Sequence, residues 1–140
     1  MLLTPSSNPA RAPREGDLTI LIVEDHVRTR EVVRDWLGFV FPQARFVEVG
    51  TGEEALAAVA KQPPQLVLMD VEMPGMKGIE ATRRIKLLAP GTQVVILSIY
   101  QAPEYQSAAI AAGASAYLPK ASMHTELIPL LRTLLGRPAA

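Results

Sequence analysis

The chain has 140 residues, of which 49% are hydrophobic and 20% charged, and its 14 basic and 14 acidic residues give no formal net charge. These values describe one folded domain with a substantial core and give no support for nucleic-acid binding by this chain through excess positive charge. The absence of cysteine and the presence of only two histidines exclude disulfides, thiol catalysis, cysteine-based zinc sites and histidine-rich metal sites, so we expect any metal to be a hard cation bound by oxygen.

Targeting and membrane signals are absent from the sequence. No apolar run approaches the roughly 20 residues that span a bilayer. The N-terminal Met1-Leu2-Leu3 is followed by polar residues and lacks the apolar segment of a signal peptide. We therefore expect a cytoplasmic protein without membrane contact, in which residues 1–16 form a flexible N-terminal tail, 17–136 one folded domain and 137–140 a short C-terminal tail.

Short apolar runs alternate with helical patterns along the folded part. Strands that alternate with helices are typical of a parallel sheet covered by helices on both faces, which predicts an α/β fold. In chain order we predict a strand over 18–23, a helix over 27–40, a strand over 45–49, a helix over 52–61, a strand over 66–69, a helix over 78–88, a strand over 93–97, a helix over 103–112, a strand over 116–118 and a last helix that ends near Leu135.

Local signals mark several helix ends. Thr51 followed by Glu54 is typical of a capping box at the start of the second helix. Gly113 suits the cap after the fourth helix. Proline removes one backbone donor and clashes with the preceding turn, so Pro129 predicts either a kink in the last helix or a start near Thr125 rather than Ser122.

Polar and charged side chains follow four of the five predicted strands. Glu24-Asp25 follows the first strand, Asp70 the third, Ser98 the fourth and Lys120 the fifth. The carboxyl ends of parallel strands share one edge of the sheet, which is where ligands bind in open α/β folds. We therefore expect three acids, a hydroxyl and an ammonium group to converge there.

This set of groups suits phosphoryl transfer. Clustered carboxylates need a cation, and with oxygen ligands Mg²⁺ is the natural choice. Beside Mg²⁺, Asp70 is a competent carboxylate nucleophile that can form an aspartyl phosphate. Lys120 can neutralise one phosphoryl oxygen, and Ser98 can donate a hydrogen bond to another.

The sequence resembles the receiver domain of a two-component response regulator over residues 17 to about 135. The resemblance implies a flavodoxin-like, doubly wound sheet of five parallel strands in the order 2-1-3-4-5, with five helices. It rests on Glu24-Asp25, on Asp70 within Leu-Met-Asp-Val-Glu-Met-Pro-Gly, on Gly78, on Ser98, and on Gly113-Ala114 before Tyr117-Leu118-Pro119-Lys120.

The resemblance also implies roles at the metal site. Asp70 would be the phosphoacceptor and a Mg²⁺ ligand. Asp25 would bind Mg²⁺ directly, Glu24 through water, and Glu72 through its backbone carbonyl. The acidic pair here is Glu-Asp where many relatives have Asp-Asp, and the direct ligand Asp25 is retained.

The resemblance further implies a switch formed by Ser98 and Tyr117. On phosphorylation Ser98 would move toward the phosphoryl group and the Tyr117 ring would turn inward, which would change the face formed by the fourth helix, the fifth strand and the fifth helix. Many relatives have a proline directly after the lysine, whereas Ala121 follows Lys120 here. We therefore expect a trans peptide bond at that position, or a locally different loop.

The expected function is a signalling receiver that takes a phosphoryl group from a histidine kinase or histidine phosphotransfer protein and does not act as a turnover enzyme. We expect either a single-domain regulator that acts by protein contact or the receiver of a larger transcription factor. The segments Glu24-Asp25-His26 and Leu97-Ser98-Ile99-Tyr100 resemble receivers that precede helix-turn-helix DNA-binding domains, which favours the second. The last helix has more apolar residues than one core-facing stripe can hold. The surplus, such as Ile128 and Leu135, predicts a homodimer contact, packing against a further domain, or ordinary exposed side chains.

Other interpretations remain open from the residues. One is a Mg²⁺-dependent phosphatase or phosphotransferase, since Glu72 stands two residues after Asp70, as the general acid does in haloacid-dehalogenase-type enzymes. Another is a flavodoxin-like cofactor binder, which would need a first loop rich in Gly, Ser or Thr. The Tyr100 side chain either covers the site and slows loss of the phosphoryl group or is an ordinary surface tyrosine. We expect His26 to start a helix rather than bind metal.

Overall fold

Residues 18–73 and 75–136 are described by the computed structural model; the tails predicted for 1–16 and 137–140 lie outside the described residues, as do Asp17 and Pro74. The predicted order and type of all ten elements are confirmed. They are β1 (Thr19–Val23), α1 (Val27–Val40), β2 (Arg45–Val49), α2 (Gly52–Lys61), β3 (Leu66–Asp70), α3 (Gly78–Leu88), β4 (Gln93–Ser98), α4 (Pro103–Ala111), β5 (Ala116–Pro119) and α5 (Met123–Leu134).

The five strands form one parallel sheet in the order β2-β1-β3-β4-β5, which confirms the predicted doubly wound topology. Alternate side chains of each strand enter one of two cores. One core lies under α2, α3 and α4, and the other under α1 and α5. Every residue of β1 and β3 is buried, because helices cover both faces of the sheet and these strands lie inside it.

Three strands run one residue further than their apolar runs. Asp70 is the last residue of β3 and pairs with Leu97, and Ser98 is the last residue of β4 and pairs with Pro119. The apolar runs of β3 and β4 end just before Asp70 and Ser98, but the backbone of these two residues still pairs with the neighbouring strand. Both side chains are therefore attached to ordered sheet backbone rather than to loops.

The predicted helix caps are present. The backbone N–H of Glu54 donates to Oγ1 of Thr51 at 3.0 Å, and the Glu54 carboxylate accepts from the N–H of Gly50 at 2.9 Å. Gly113 has φ of +103°, a left-handed conformation that favours glycine, and its N–H donates to the carbonyl of Ile110.

The last helix begins before Thr125, the later of the two starts that we predicted. A single 3₁₀ turn over Lys120–Ser122 leads directly into α5 at Met123, so a start near Thr125 is wrong and Ser122 is the cap residue. Pro129 lies inside the helix, on its exposed side. All peptide bonds in the described residues are trans, including the one between Lys120 and Ala121.

The apolar residues of α5 are not left on an open surface. Ile128 and Leu135 are half-buried and pack against the core beneath α1 and α5. The most exposed large apolar side chain among the described residues is Phe39 on α1, at 89%. A homodimer therefore stays a prediction that this packing does not support. Within the described residues, the helices are too short or too polar to cross a bilayer.

Candidate functional site

The acidic pair after β1 is held by backbone and side-chain contacts. The N–H of Glu24 donates to the carbonyl of Val49 at 3.1 Å, which extends the pairing of β1 with β2. The Arg30 guanidinium reaches back from α1 and donates to the Glu24 carbonyl at 2.8 Å. Nε of Arg30 also lies 3.5 Å from the carboxylate of Glu48 on β2. The acidic segment is thus fixed between α1 and the edge of the sheet.

Lys120 joins the acids of β1 and β3. Its Nζ lies 3.2 Å from Oε1 of Glu24 and 3.3 Å from Oδ1 of Asp70. Both carboxylates are almost fully buried, with side chains 7% and 8% exposed. The ammonium group of Lys120 thus contacts two nearly buried carboxylates from distant parts of the chain. The strand order predicted that these residues would meet at one edge of the sheet.

Gly78 allows the start of α3 to pack against the backbone of Asp70. A Cβ atom at this position would lie 2.1 Å from the carbonyl oxygen of Asp70 and 2.9 Å from Cα of Val71. The N–H of Gly78 donates to the Val71 carbonyl at 3.0 Å. Only a residue without a side chain fits here, which explains physically why glycine belongs to the motif.

The charges in the site shift one another's pKa values. Burial, together with the charge of Glu24, raises the pKa of Asp70 above its usual value, although Lys120 acts in the opposite direction. Burial would also raise the pKa of Glu24, but hydrogen bonds from His26 and the charge of Lys120 outweigh it and lower that pKa. Burial would lower the pKa of Lys120, but Asp70 and Glu24 raise it. Lys120 is therefore held as an ammonium ion.

His26 is closer to the acids than we expected. Its backbone N–H donates to Oε2 of Glu24 at 3.1 Å, and its Nδ1 lies 3.0 Å from the same oxygen. Nδ1 also lies 3.3 Å from Oδ1 of Asp25. The hydrogen bond to Glu24 and the charge of Asp25 raise the pKa of His26. His26 does precede α1, as predicted, but its ring does not cap the helix.

Ser98 and Tyr117 are linked through the backbone of Tyr100. Oγ of Ser98 accepts from the N–H of Tyr100 at 2.9 Å, and the hydroxyl of Tyr117 donates to the Tyr100 carbonyl at 2.5 Å. The Tyr100 ring stacks on Tyr105 with centroids 4.7 Å apart. Sequence reasoning treated Tyr100 only through its ring and so missed its backbone as the connection between the two predicted switch residues.

The acidic residues fit a divalent cation. Oδ1 of Asp25 is a buried carboxylate oxygen without a hydrogen-bond partner among the described residues. Ligand atoms of Glu24, Asp25 and His26 all lie within 4.8 Å of one another. An uncompensated buried anionic oxygen is costly unless a cation or donor meets it. The donor set therefore suits Mg²⁺, with Asp25 as the residue best placed to bind it.

The structure brings together most but not all of the predicted site residues. Glu24, Asp70 and Lys120 are in contact, and Asp25 borders them. Glu72 is exposed, and its N–H donates to Oδ1 of Asp70 at 3.4 Å; the role of its carbonyl stays a prediction. So do the phosphoacceptor role of Asp70 and the switch roles of Ser98 and Tyr117.

Comparison with known proteins gives one family. The model of the response regulator receiver domain matches residues 20–132. The transcriptional activator protein ExaE of Pseudomonas putida is 34% identical over 117 residues, which cover 84% of this chain and 55% of that protein. The transcriptional regulatory protein DegU of Brevibacillus brevis is 37% identical over 107 residues, 76% of this chain and 45% of that protein. The chain thus spans about half the length of these curated relatives.

Solved structures agree with the fold. A two-component response regulator of the LuxR family from Aurantimonas sp. SI85-9A1 superposes with a TM-score of 0.77 at 33% identity, covering 87% of this chain and 88% of that one. The receiver domain of the histidine kinase CKI1 from Arabidopsis thaliana, crystallised with Mg²⁺ and BeF₃⁻, superposes with a TM-score of 0.75 at 25% identity, covering 85% of this chain and 90% of that one.

Proposed function

Because the chain belongs to the receiver domain family of two-component response regulators, we propose that it accepts a phosphoryl group on Asp70. The donor would be a phosphohistidine of a histidine kinase or of a histidine phosphotransfer protein. The observation that carries this proposal is the position of Lys120, whose Nζ lies within 3.3 Å of both Asp70 and Glu24. That arrangement supplies a nucleophile and a counter-charge at one point of the sheet edge.

The two oxygens of Asp70 have different surroundings. Oδ1 is close to Nζ of Lys120 and accepts from the N–H of Glu72. The hydrogen bonds among described residues include none to Oδ2. We infer that Oδ2 attacks phosphorus. Its P–O bond forms as the P–N bond to the donor histidine breaks, and the electron pair of that bond returns to the ring nitrogen. The donor imidazole carries a proton on its other ring nitrogen and therefore leaves in its neutral form.

Neighbouring residues stabilise the transferred group. Lys120 would exchange its contact with Asp70 for one with a phosphoryl oxygen, at little cost because the ammonium is already in place. The Ser98 hydroxyl already accepts from Tyr100, and since a hydroxyl also donates, its proton remains for a second phosphoryl oxygen. Asp25 and Glu24 would hold Mg²⁺, which supplies charge neutralisation at a third oxygen.

The conformational change would pass from Ser98 to Tyr117 through the backbone of Tyr100. If Ser98 moves toward the phosphoryl group, the Tyr100 N–H bonded to it is displaced, and the Tyr117 hydroxyl loses its acceptor. The Tyr117 ring could then turn inward, and the face formed by α4, β5 and α5 would change. The added charge of about −1.5 to −2 is the driving force.

We further propose that the phosphorylated state controls transcription as part of a longer protein, as the names of the relatives suggest for those proteins. Phosphorylation of Asp70 would be stoichiometric and followed by autodephosphorylation, so we propose that this chain is not a turnover enzyme. We propose a cytoplasmic location for this reaction. We propose no nucleic-acid contact by this chain itself.

The test is phosphorylation with acetyl phosphate and Mg²⁺, followed by intact-protein mass spectrometry. We expect the wild type to gain one phosphoryl group, Asp70→Asn to gain none, and Asp35→Asn, a change at an exposed acid on α1, to behave as the wild type. Equal labelling of Asp70→Asn would contradict the site. Sustained multiple turnover of a phosphomonoester would instead favour the phosphatase alternative.

A further inference from the structure

A cleft of about 200 Å³ opens between the edge strand β2 and the second half of α2. It lies at the amino edge of the sheet, since its lining includes Thr19 and Arg45, the first residues of β1 and β2. Glu24 follows the other end of β1, roughly 16 Å away along the strand. The cleft is therefore separate from the proposed phosphorylation site.

Paired residues of β1 and β2 form the floor of the cleft. Thr19 pairs with Arg45, and Leu21 pairs with Val47. Because side chains alternate along a strand, all four lie on the face of the sheet that α2 covers. The helix packs against β1 and α3, so the edge strand stays partly uncovered and Val47 is only half-buried. The floor is thus apolar in its middle and polar at the strand ends.

Two basic side chains line the cleft without a counter-ion. Arg45 extends from the start of β2, and Lys61 is the last residue of α2. Within residues 18–73 and 75–136, neither side chain makes an ion pair or a hydrogen bond. The described lining of the cleft also includes no acidic residue. The ligand complementary to this charge is an anion.

The hydroxyl of Thr19 is a further unpaired group in the cleft. Thr19 is only 8% exposed, and its backbone N–H donates to Oε1 of Gln65 at 2.7 Å. Its hydroxyl makes no hydrogen bond to any described residue. Buried hydroxyls ordinarily have a hydrogen-bond partner, so this one indicates a ligand with an acceptor oxygen.

The size and the lining of the cleft together select a class of ligand. An apolar cavity of roughly 150 Å³ holds benzene, so this cleft is large enough for one ring with a charged substituent. We propose that the cleft binds a small organic anion with an apolar body, of which an aromatic carboxylate is the simplest. The ring would lie on Leu21 and Val47, and the carboxylate would accept hydrogen bonds from Arg45, Lys61 and Thr19. An inorganic anion would leave the apolar floor uncovered, and a neutral ligand would leave both cations unpaired.

The test is titration of benzoate and of phenylacetate into the ¹⁵N-labelled full chain, followed by NMR. We expect saturable shifts of the backbone amides of Thr19, Val47 and Lys61, with the amides of Asp70 and Lys120 unmoved. Benzyl alcohol, which lacks the charge, and acetate, which lacks the ring, should bind at least about tenfold more weakly. The absence of saturable shifts at the cleft with both aromatic carboxylates, or equal affinity for benzyl alcohol, would overturn the inference.

Charge substitutions locate the anion. Arg45→Gln should lower the affinity for benzoate about tenfold. Lys61→Gln should lower it only about threefold, because Lys61 also interacts with the negative end of α2 and is less free for a ligand. Arg28→Gln is the control, since Arg28 is an exposed residue of α1 whose side chain forms no ion pair with the described residues. An equal loss of affinity in Arg28→Gln, or full affinity in Arg45→Gln, would contradict the site.

Thr19→Val tests the hydroxyl without opening a cavity. We expect about a fivefold loss of benzoate affinity and no loss of thermal stability, because the hydroxyl has no partner in the described protein. Lower stability with unchanged affinity would instead assign the hydroxyl a structural role and remove it from the site. Labelling of Asp70 by acetyl phosphate should be the same in Arg45→Gln as in the wild type, so the proposed function and this inference can fail separately.

Discussion

The two halves of the carboxyl edge of the sheet are held in different ways. On the β1 side, Glu24 and Asp25 are surrounded by charged groups, and Arg30 and Lys120 fix the acidic segment through contacts of 2.8 Å and 3.2 Å. On the β4 and β5 side, Ser98 and Tyr117 each make one hydrogen bond to the backbone of a single residue, Tyr100. We name the two sides after their proposed roles. The cation half, on the β1 side, is a network of contacts, and the switch half, on the β4 and β5 side, is a short chain of hydrogen bonds.

This difference suits the proposed division of work. Binding a cation and a phosphoryl group benefits from donors and charges that are in place beforehand, because reorganisation costs free energy. A switch needs two arrangements that differ by only a few kcal/mol. Neutral hydrogen bonds contribute about 0.5–1.5 kcal/mol each, so the contacts of Tyr100 can be exchanged when a charge arrives.

The largest effect is expected between the two halves, at Gly78, which packs against the end of β3. The Cβ atom of Gly78→Ala would lie 2.1 Å from the carbonyl oxygen of Asp70, so β3 and α3 must separate. We expect a loss of about 3 kcal/mol in the free energy of unfolding, a large value for one methyl group. Denaturant titration measures it.

Gly91→Ala is the matched control for Gly78→Ala. A Cβ atom at Gly91 would meet nothing within 4 Å, and its φ is not positive. We expect a change within about 0.5 kcal/mol, as at other open surface positions. Equal destabilisation by the two substitutions would contradict the close approach of α3 to Asp70.

Arg30→Ala tests whether the network orders the cation half. The substitution removes a charged hydrogen bond to the Glu24 carbonyl and should cost about 2 kcal/mol of stability, because that side chain is only 17% exposed. It should also weaken Mg²⁺ binding severalfold, since the acidic segment loses its anchor. Titration calorimetry with Mg²⁺ and denaturant unfolding measure the two effects.

Arg34→Ala separates that anchor from a simple ion pair. Nε of Arg34 lies 3.2 Å from the carboxylate of Glu48, the same residue that Arg30 approaches, but Arg34 is more exposed. Exposed ion pairs contribute about 0–1 kcal/mol. If Arg34→Ala weakened Mg²⁺ binding as much as Arg30→Ala, the bond to the Glu24 carbonyl would not be the cause.

Asp70→Asn should stabilise the metal-free protein at neutral pH. The pKa of Asp70 is raised by burial and by Glu24, so the folded state binds the proton more tightly than the unfolded chain. The stability that Asp70 contributes is present below its unfolded pKa, near 3.9, and is lost as pH rises through the higher folded pKa. Removing the charge should therefore gain on the order of 1 kcal/mol at pH 7.

Two comparisons test the electrostatic origin of that gain. Unfolding of Asp70→Asn in mildly acidic buffer should show a smaller gain, because the wild-type carboxyl is then increasingly protonated. Asp35→Asn, at an acid that is 73% exposed, should gain nothing. A gain for Asp70→Asn that did not depend on pH would point to altered packing instead of charge.

The cation half was more predictable from sequence than the switch half. Charged residues at the ends of apolar runs indicated where Glu24, Asp25, Asp70 and Lys120 meet, because parallel strands place their carboxyl ends at one edge. The contact of His26 was missed because a helix-start residue is usually assigned to capping. Predicting this contact would have required the orientation of the His26 ring, which the spacing of residues in the sequence does not determine.

Backbone contacts explain the other features of the structure that the sequence did not predict. The bridge between Ser98 and Tyr117 passes through the N–H and carbonyl of Tyr100, groups that every residue carries, so no residue type signals it. The start of the last helix was ambiguous because Pro129 argued for a shorter helix. In the structure, the 3₁₀ turn over Lys120–Ser122 leads directly into the helix, so the start of the helix does not depend on Pro129.

Tyr117→Phe is expected to have the smallest effect on stability and is specific to the switch half. It removes the hydroxyl that donates to the Tyr100 carbonyl and should cost about 0.5 kcal/mol, since the ring is only half-buried and water can replace the donor. Tyr105→Phe, whose hydroxyl makes no hydrogen bond to the described residues, is the control. Hydrogen exchange should rise at Tyr100 and its neighbours in Tyr117→Phe alone, with exchange at Glu24 and Asp25 unchanged. If exchange rose equally at both ends of the edge, the cation and switch halves would form one cooperative unit, and the contrast between network and chain would not describe the molecule.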